Sequence, residues 1–269
     1  MKEAELIART KAPITARSLA NELALLGLGK GAIVLVHSSL SSLGWVCGGP
    51  VSVIKALIDT VGDSGTIVMP AQSRDLTDPA NWGAPPVPQS WIETIRETMP
   101  AYDPRITPTR DMGQIAEIFR NWPGVVRSNH PSASFAALGP AAMEVIAHQK
   151  LEDPLGEDSP LSALYRLDSI VLLIGVDFNK CTALHFAERK VWPNRPKIRE
   201  GAPLLVEGER RWISFETPEL MDSDDFLPIG DSARIAGLTT TGSLGEGHAT
   251  LLAMRDLVDH AVAQWSSQP

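Results

Sequence analysis

The sequence predicts an α/β fold: a layered α/β/α domain with a central, mostly parallel or mixed sheet and a C-terminal β-hairpin insertion. Three observations carry this prediction. Short apolar runs of strand length, at residues 32–36, 65–70 and 170–175, alternate with longer segments of helical spacing. The runs are apolar at nearly every position, as strands covered on both faces are. No internal repeat or low-complexity linker divides the 269 residues, so residues 1–269 are read as one domain.

Residues 14–26 set Leu19, Leu23, Leu25 and Leu26 at helical spacing and run into Gly27 and Gly29, a helix with a glycine stop. The strand at 32–36 ends on His37-Ser38-Ser39, and Gly44, Gly48 and Gly49 follow before helical spacing resumes over 51–61. Strand, glycine-bearing loop and helix in that order describe a ligand-binding turn, although glycine serves plain turns as readily. Residues 65–70 form a second strand closed by Pro70. Residues 72–109 are rich in proline, carry Trp82 and Trp91, and hold only a short helical patch at 91–99. An excursion of that length inside a compact domain reads as a lid or binding loop. Helices are expected at 112–120 and 140–148, with a strand at 135–138 between them. The most apolar strand, 170–175, has helical spacing directly behind it at 182–190. From Pro203 the pattern becomes a hairpin, 204–206 and 212–215 about Gly208, and then an acidic piece at 216–225 with five carboxylates and no base. Together, 200–226 is read as the insertion. Residues 251–263 are expected to close the chain as a helix.

Charge narrows the function. Twenty-four Lys and Arg against 32 Asp and Glu give −8, a balance that disfavours nucleic acid and anionic membranes and favours a cationic small molecule. No apolar run approaches the ~18–20 residues of a bilayer span, and residues 1–17 lack the apolar stretch of a secretory signal. A cytoplasmic protein is expected, with Cys47 and Cys181 as free thiols.

Three constellations could carry chemistry. His37-Ser38-Ser39-Leu40 stands at a strand's carboxyl end with Gly48-Gly49 beyond it, where hydroxyls and backbone N–H groups suit a phosphate, amide or thioester oxygen. Thr182, His185 and Glu188 fall three apart behind the most apolar strand, so on a helix they share a face; a histidine with a carboxylate one turn away is an oriented base. The same spacing also describes a solvated face with a pair worth ~0.2–0.5 kcal/mol, and spacing alone favours that plainer reading. Arg110 and Arg127, near His130-Pro131, are natural phosphate contacts in an acidic protein. Neither His-Glu-x-x-His nor Cys-x-x-Cys occurs, and the six histidines are scattered, so no metal is expected; a site from His37, His185 and Glu188 lacks a spacing signature. No Gly-x-Ser-x-Gly elbow is present.

Taken together, these segments resemble the aminoglycoside 3-N-acetyltransferase family, acetyl-coenzyme A enzymes distinct from the GNAT fold. The resemblance rests on Val36-His37-Ser38-Ser39-Leu40, Gly48-Gly49, Gly65-Thr66-Ile67-Val68-Met69-Pro70, Thr107-Pro108, Met112-Gly113, Trp122-Pro123-Gly124-Val125-Val126-Arg127-Ser128, His130-Pro131, Ser159-Pro160-Leu161 and Thr182-Ala183-Leu184-His185-Phe186-Ala187-Glu188. It implies acetyl transfer from acetyl-coenzyme A to the 3-amino group of an aminoglycoside, without metal. Coenzyme contacts are then expected at Ser38, Ser39, Leu40, Gly48, Gly49, Thr109, Arg110, Met112, Gly113, Arg127 and Ser128. The resemblance makes His185 the general base with Glu188 beside it; Thr182, on the same helix face by spacing, is a further catalytic candidate, and His37 is the competing imidazole. Cys181 and Asp177 depart from the family's pattern, which favours a polar residue such as Asn and more glycine there.

An ammonium has no lone pair, so transfer requires a base near neutral pH, and imidazole is suited to it. Asp75, Asp103, Glu157, Asp177 and Glu188 are the carboxylates expected to attract a polycation. Oxyanion donors are sought among the N–H groups of Ser39 and Leu40 and the hydroxyls of Ser38 and Thr182. Rival readings are an acetyltransferase for a biosynthetic amine, a non-catalytic polycation-binding protein that would not need His185, and a metallohydrolase.

Overall fold

The structure is a computed structural model and describes residues 3–267. In chain order its first half comprises α1 (Glu3–Arg9), α2 (Ala16–Leu26), β1 (Ile33–Ser38), α3 (Gly49–Val61), β2 (Thr66–Pro70), α4 (Ile92–Thr98), α5 (Gly113–Arg120), β3 (Val126–Arg127) and β4 (Phe135–Leu138). There follow α6 (Ala142–Ile146), α7 (Pro160–Arg166), β5 (Ile170–Ile174), α8 (Ala183–Val191), β6 (Lys197–Val206), β7 (Glu209–Pro218), α9 (Leu227–Ile235), β8 (Thr240–Leu244), β9 (Gly247–Ala253) and α10 (Met254–Ser266).

Side-chain alternation along the central strands creates two cores. β1 sends Val34 and Val36 to one face and Leu35 to the other; β5 sends Leu172 and Ile174 with the first pair and Val171 and Leu173 with the second. The first face is covered by α2, α3 and α5 through Leu19, Leu23, Ile54, Leu57, Ile115 and Phe119. The second is covered by helices α6 to α10, among them Leu161, Leu184, Phe186, Leu257 and Val258. Each such side chain, fully buried, contributes roughly 1.5–3 kcal/mol. These are the layers predicted from sequence.

The sheet has seven strands in the order β3-β4-β2-β1-β5-β9-β8 and is mixed: β2, β1 and β5 run parallel, while β4 and β9 run antiparallel to their neighbours. A separate two-stranded sheet is the hairpin β6–β7, which extends over 197–218 and so begins earlier than the expected insertion. One element is corrected. Leu251, Leu252 and Ala253, expected to begin the last helix, are strand residues paired with Leu172, Val171 and Ile170, and the helix starts at Met254. The apolar run there fits either period, and pairing with the central strand decides it. Among the described residues, no helix is long and apolar enough to cross a membrane.

Candidate active site

Because β1, β2 and β5 are parallel, their carboxyl ends open on one edge of the sheet, the usual ligand edge of α/β proteins. A cleft of about 690 Å³ lies there, lined by Val36, His37 and Ser38 from the end of β1, Pro70 from β2 and Val176 just after β5. Gly175 makes this junction possible. Its φ is +60°, and a Cβ would stand 1.6 Å from Ser42 Oγ in the loop after β1. Met112 and Gly113, at the start of α5, form another wall, and Asp111 before them lines the cleft at φ 61°, a conformation aspartate tolerates better than most residues. The start of α8 brings Thr182 and His185, and the acidic segment after the hairpin closes over them with Ser223 and Phe226.

His185 and Glu188 lie on the first turns of α8, one turn apart. Apolar Leu184 and Ala187 pull that helix onto the core, and Glu188 goes in with them until none of its surface is exposed. Its Oε2 stands 2.9 Å from His185 Nδ1, and its Oε1 accepts the Met221 N–H at 2.8 Å, with Arg195 Nε at 3.3 Å. An acceptor on Nδ1 makes that nitrogen the donor, so the neutral ring keeps its lone pair on Nε2. The imidazole packs edge-on to Phe226, with ring centroids 4.8 Å apart. The pair is buried and oriented, not a solvated one.

The other imidazoles near these motifs differ. Burial holds His37 neutral, its pKa lowered to about 3, and its Nε2 lies 3.2 Å from Thr182 Oγ1. His130 is likewise lowered to about 4 by burial; its Nδ1 accepts the Ala133 N–H at 2.9 Å, and its Nε2 lies 3.2 Å from the Leu151 carbonyl, a turn-locking role. Burial pushes the Cys181 thiol up to about 12, so it carries no thiolate at neutral pH. Among the described residues, no cluster of three or more His, Cys, Asp or Glu side chains is placed to hold a metal ion.

The profile of the aminoglycoside 3-N-acetyltransferase family matches residues 35–266. The chain belongs to this family. The SPbeta prophage-derived aminoglycoside N(3')-acetyltransferase-like protein YokD of Bacillus subtilis is 46% identical over 258 residues, covering 96% of this chain and 94% of its own. Aminoglycoside N(3)-acetyltransferase VII of Streptomyces paromomycinus is 38% identical over 282 residues, covering 98% and 95%. The crystal structure of YokD matches with a TM-score of 0.95 at 44% identity, covering 98% of each chain. A binary structure of AAC-IIIb with CoASH matches at 0.83 and 31% identity, covering 94% of this chain and 97% of that one. AAC-VIa bound to sisomicin matches at 0.85 and 27%, covering 95% and 98%.

Within this 3-N-acetyltransferase fold the cleft gathers His37, Ser38, Ser39, Leu40, Met112, Gly113, Thr182 and His185 from the residues expected in the site, with Glu188 behind His185. It does not gather the rest. Gly48 and Gly49 begin α3 outside the cleft lining. Arg127 is buried and donates from every guanidinium nitrogen to the protein, including Ser134 Oγ at 3.0 Å, Ser73 Oγ at 2.8 Å and the carbonyls of Ala71 and Thr107 at 2.5 Å, so it ties loops together instead of facing a phosphate. Ser128 Oγ donates to Gln149 and accepts from Phe135, and Thr109 donates to Glu117. Arg110 sits outside the lining, beside Asp75 and Asp111 at 3.6 and 3.8 Å. The Ser39 N–H, a candidate oxyanion donor, is taken by the Ile174 carbonyl at 2.9 Å.

Of the expected carboxylates, the four besides Glu188 also lie elsewhere. Asp75 pairs with Arg110, Asp177 with Arg234, and Asp103 with Arg105, whose hydrogen bonds hold it down at about 2. Glu157 pairs with Lys190 and lines a different, 290 Å³ hollow. Sequence reasoning noticed the acidic piece 216–225 without connecting it to His185; the contact that does so, Glu188 to Met221, spans 33 residues. It also missed Arg74 and Lys180, cations that line the cleft and form no ion pair among the described residues.

Proposed function

We propose that the protein transfers the acetyl group of acetyl-coenzyme A to the 3-amino group of an aminoglycoside, with His185 as general base. The His185–Glu188 dyad in the wall of the cleft carries this reading. His185 Nε2 accepts the proton that the acceptor nitrogen must lose, and Glu188 holds the ring in the required tautomer and balances its charge. His37 is too weakly basic for the task because burial lowers it to about 3; it orients the Thr182 hydroxyl instead.

Acetyl-coenzyme A supplies the activated acyl carbon. The cleft suits such a molecule: Leu40 and Met112 offer apolar surface, the Ser38 hydroxyl has no protein partner among the described residues, and Arg74 and Lys180 offer free cations for phosphates. Polycation recognition falls to the acidic segment, where Glu219, Asp222, Asp224 and Asp225 surround the stretch that delivers Ser223 and Phe226 to the cleft. Acetyl-coenzyme A as cosubstrate favours work in the cytoplasm, and inactivation of antibiotic is the biological consequence. The deciding test is thiol release from acetyl-coenzyme A with a panel of aminoglycosides and simple polyamines. Release with aminoglycosides and acetylation at the 3-amino position are expected; release with polyamines alone would reassign the acceptor.

A further inference from the structure

We infer that Arg195 is a positioning residue that tunes the His185–Glu188 dyad by occupying the second oxygen of the carboxylate. The kinetic consequence rests on the acetyl-transfer reading above, whereas the electrostatic one does not. Glu188 has no solvent-exposed surface, so its charge is balanced by what touches it. Oε2 faces His185 Nδ1 at 2.9 Å; Oε1 accepts the Met221 N–H at 2.8 Å and lies 3.3 Å from Arg195 Nε. The same Nε donates to the Glu219 carbonyl at 2.6 Å. Arg195 therefore ties the turn after α8 to the acidic segment and sets a permanent cation on the oxygen that the imidazole does not use.

The sign of the effect follows from charge. A buried carboxylate beside an imidazole favours the imidazolium, and a cation on the same carboxylate offsets part of that attraction. Arg195 places that cation 3.3 Å from Oε1 while leaving intact the hydrogen bond that orients the ring. The other groups around the dyad are Lys180 and Cys181 from the turn before α8, His37 reached through Thr182 from β1, and Asp224, held by Asn179, from the acidic segment. The packed helices α7 and α10 meet the neighbouring rings with Tyr165 on Phe186 and Trp265 on Phe226, and Tyr165 is bonded to Asp259. Among the described residues, Arg195 is the Lys or Arg paired with Glu188.

The test compares wild type, Arg195→Gln and Arg195→Lys by NMR titration of the His185 ring, assigned with His185→Gln, and by the pH dependence of kcat/KM for acetyl transfer. Arg195→Gln should titrate higher by about one pH unit, because the charge removed has the same sign as the imidazolium, and the acid limb of kcat/KM should move the same way. Arg195→Lys should restore most of the difference. Should Arg195→Gln fail to melt cooperatively, Arg195→Met takes its place. A folded variant without the charge that titrates as wild type does would overturn the inference. A shifted titration in a protein that transfers no acetyl group would sustain it while removing the acetyl-transfer reading, so the two fail separately.

Discussion

Glu188 bonds His185 through one carboxylate oxygen and the backbone of Met221 through the other, so the acidic segment and the candidate base share a single buried group. A local helix pair is thereby joined to a segment 33 residues further along the chain. Loss of this carboxylate should disturb both the chemistry and the cover of the cleft.

His185→Ala and His185→Gln should fold, bind acetyl-coenzyme A as wild type does, and lose acetyl transfer by about 10²–10⁴-fold, the usual worth of a positioned base. Thiol-release kinetics with calorimetry of coenzyme binding decides it. Retention of more than about a tenth of turnover would reject His185 as the base.

Glu188→Ala leaves the partly buried Met221 N–H without its acceptor and Arg195 without its anion. A loss of about 1–3 kcal/mol in urea unfolding is expected together with loss of activity. Glu188→Gln should keep more of the stability than of the turnover, because an amide can still accept from Met221 but no longer balances charge on the ring.

Stability should depend on pH through His37 and His130. Burial lowers them to about 3 and about 4 from an ordinary 6.5, so between those values the unfolded chain binds protons that the folded one refuses. Their contribution is complete above pH 6.5 and is lost as pH falls towards 4, at up to about 1.4 kcal/mol per unit for each group. Urea titrations at pH 7.5, 6 and 5 should show the decline, and His37→Gln should flatten it. Equal slopes in variant and wild type would contradict the burial argument.

If the acidic segment grips the polycation, Asp224→Asn and Asp225→Asn should each raise its KM by about two- to fivefold at low salt, as exposed charge pairs do, and weaken its dependence on salt. Asp75→Asn and Glu157→Gln, paired with Arg110 and Lys190 apart from the acidic segment, should leave KM unchanged. The reverse pattern would return recognition to the loops singled out from sequence.

Acetyl-coenzyme A should raise the melting temperature, equivalent to about 2.7 kcal/mol at a hundredfold excess over Kd. Arg74→Gln and Lys180→Gln should weaken coenzyme binding, while removing the phosphates by using acetyl-pantetheine should make both substitutions silent. Equal effects on both ligands would place these cations away from the phosphates.

Much of the architecture was legible because it is local. Residues 32–36, 65–70 and 170–175 are apolar enough to be covered on both faces, and glycine and proline mark where Gly27 and Pro70 stop their elements. The i,i+3 spacing that brings His185 Nδ1 to Glu188 is a property of any helix. By contrast, β8 carries Thr240, Thr241, Gly242 and Ser243 and shows no apolar run; it is a strand because β9 pairs with it at the sheet's edge.

Sequence alone thus determined the strand runs, the helix face and the residue types able to act as base. Tertiary structure decided which of them meet. Arg127 looks like any free arginine in sequence, yet the β3 position buries it among carbonyls from distant loops. Glu188 looks like a solvated helix carboxylate, yet Met221 and Arg195 enclose it. The physical reason is that periodicity records each segment's own geometry, whereas burial and charge pairing arise between segments far apart in the chain and leave no period to read.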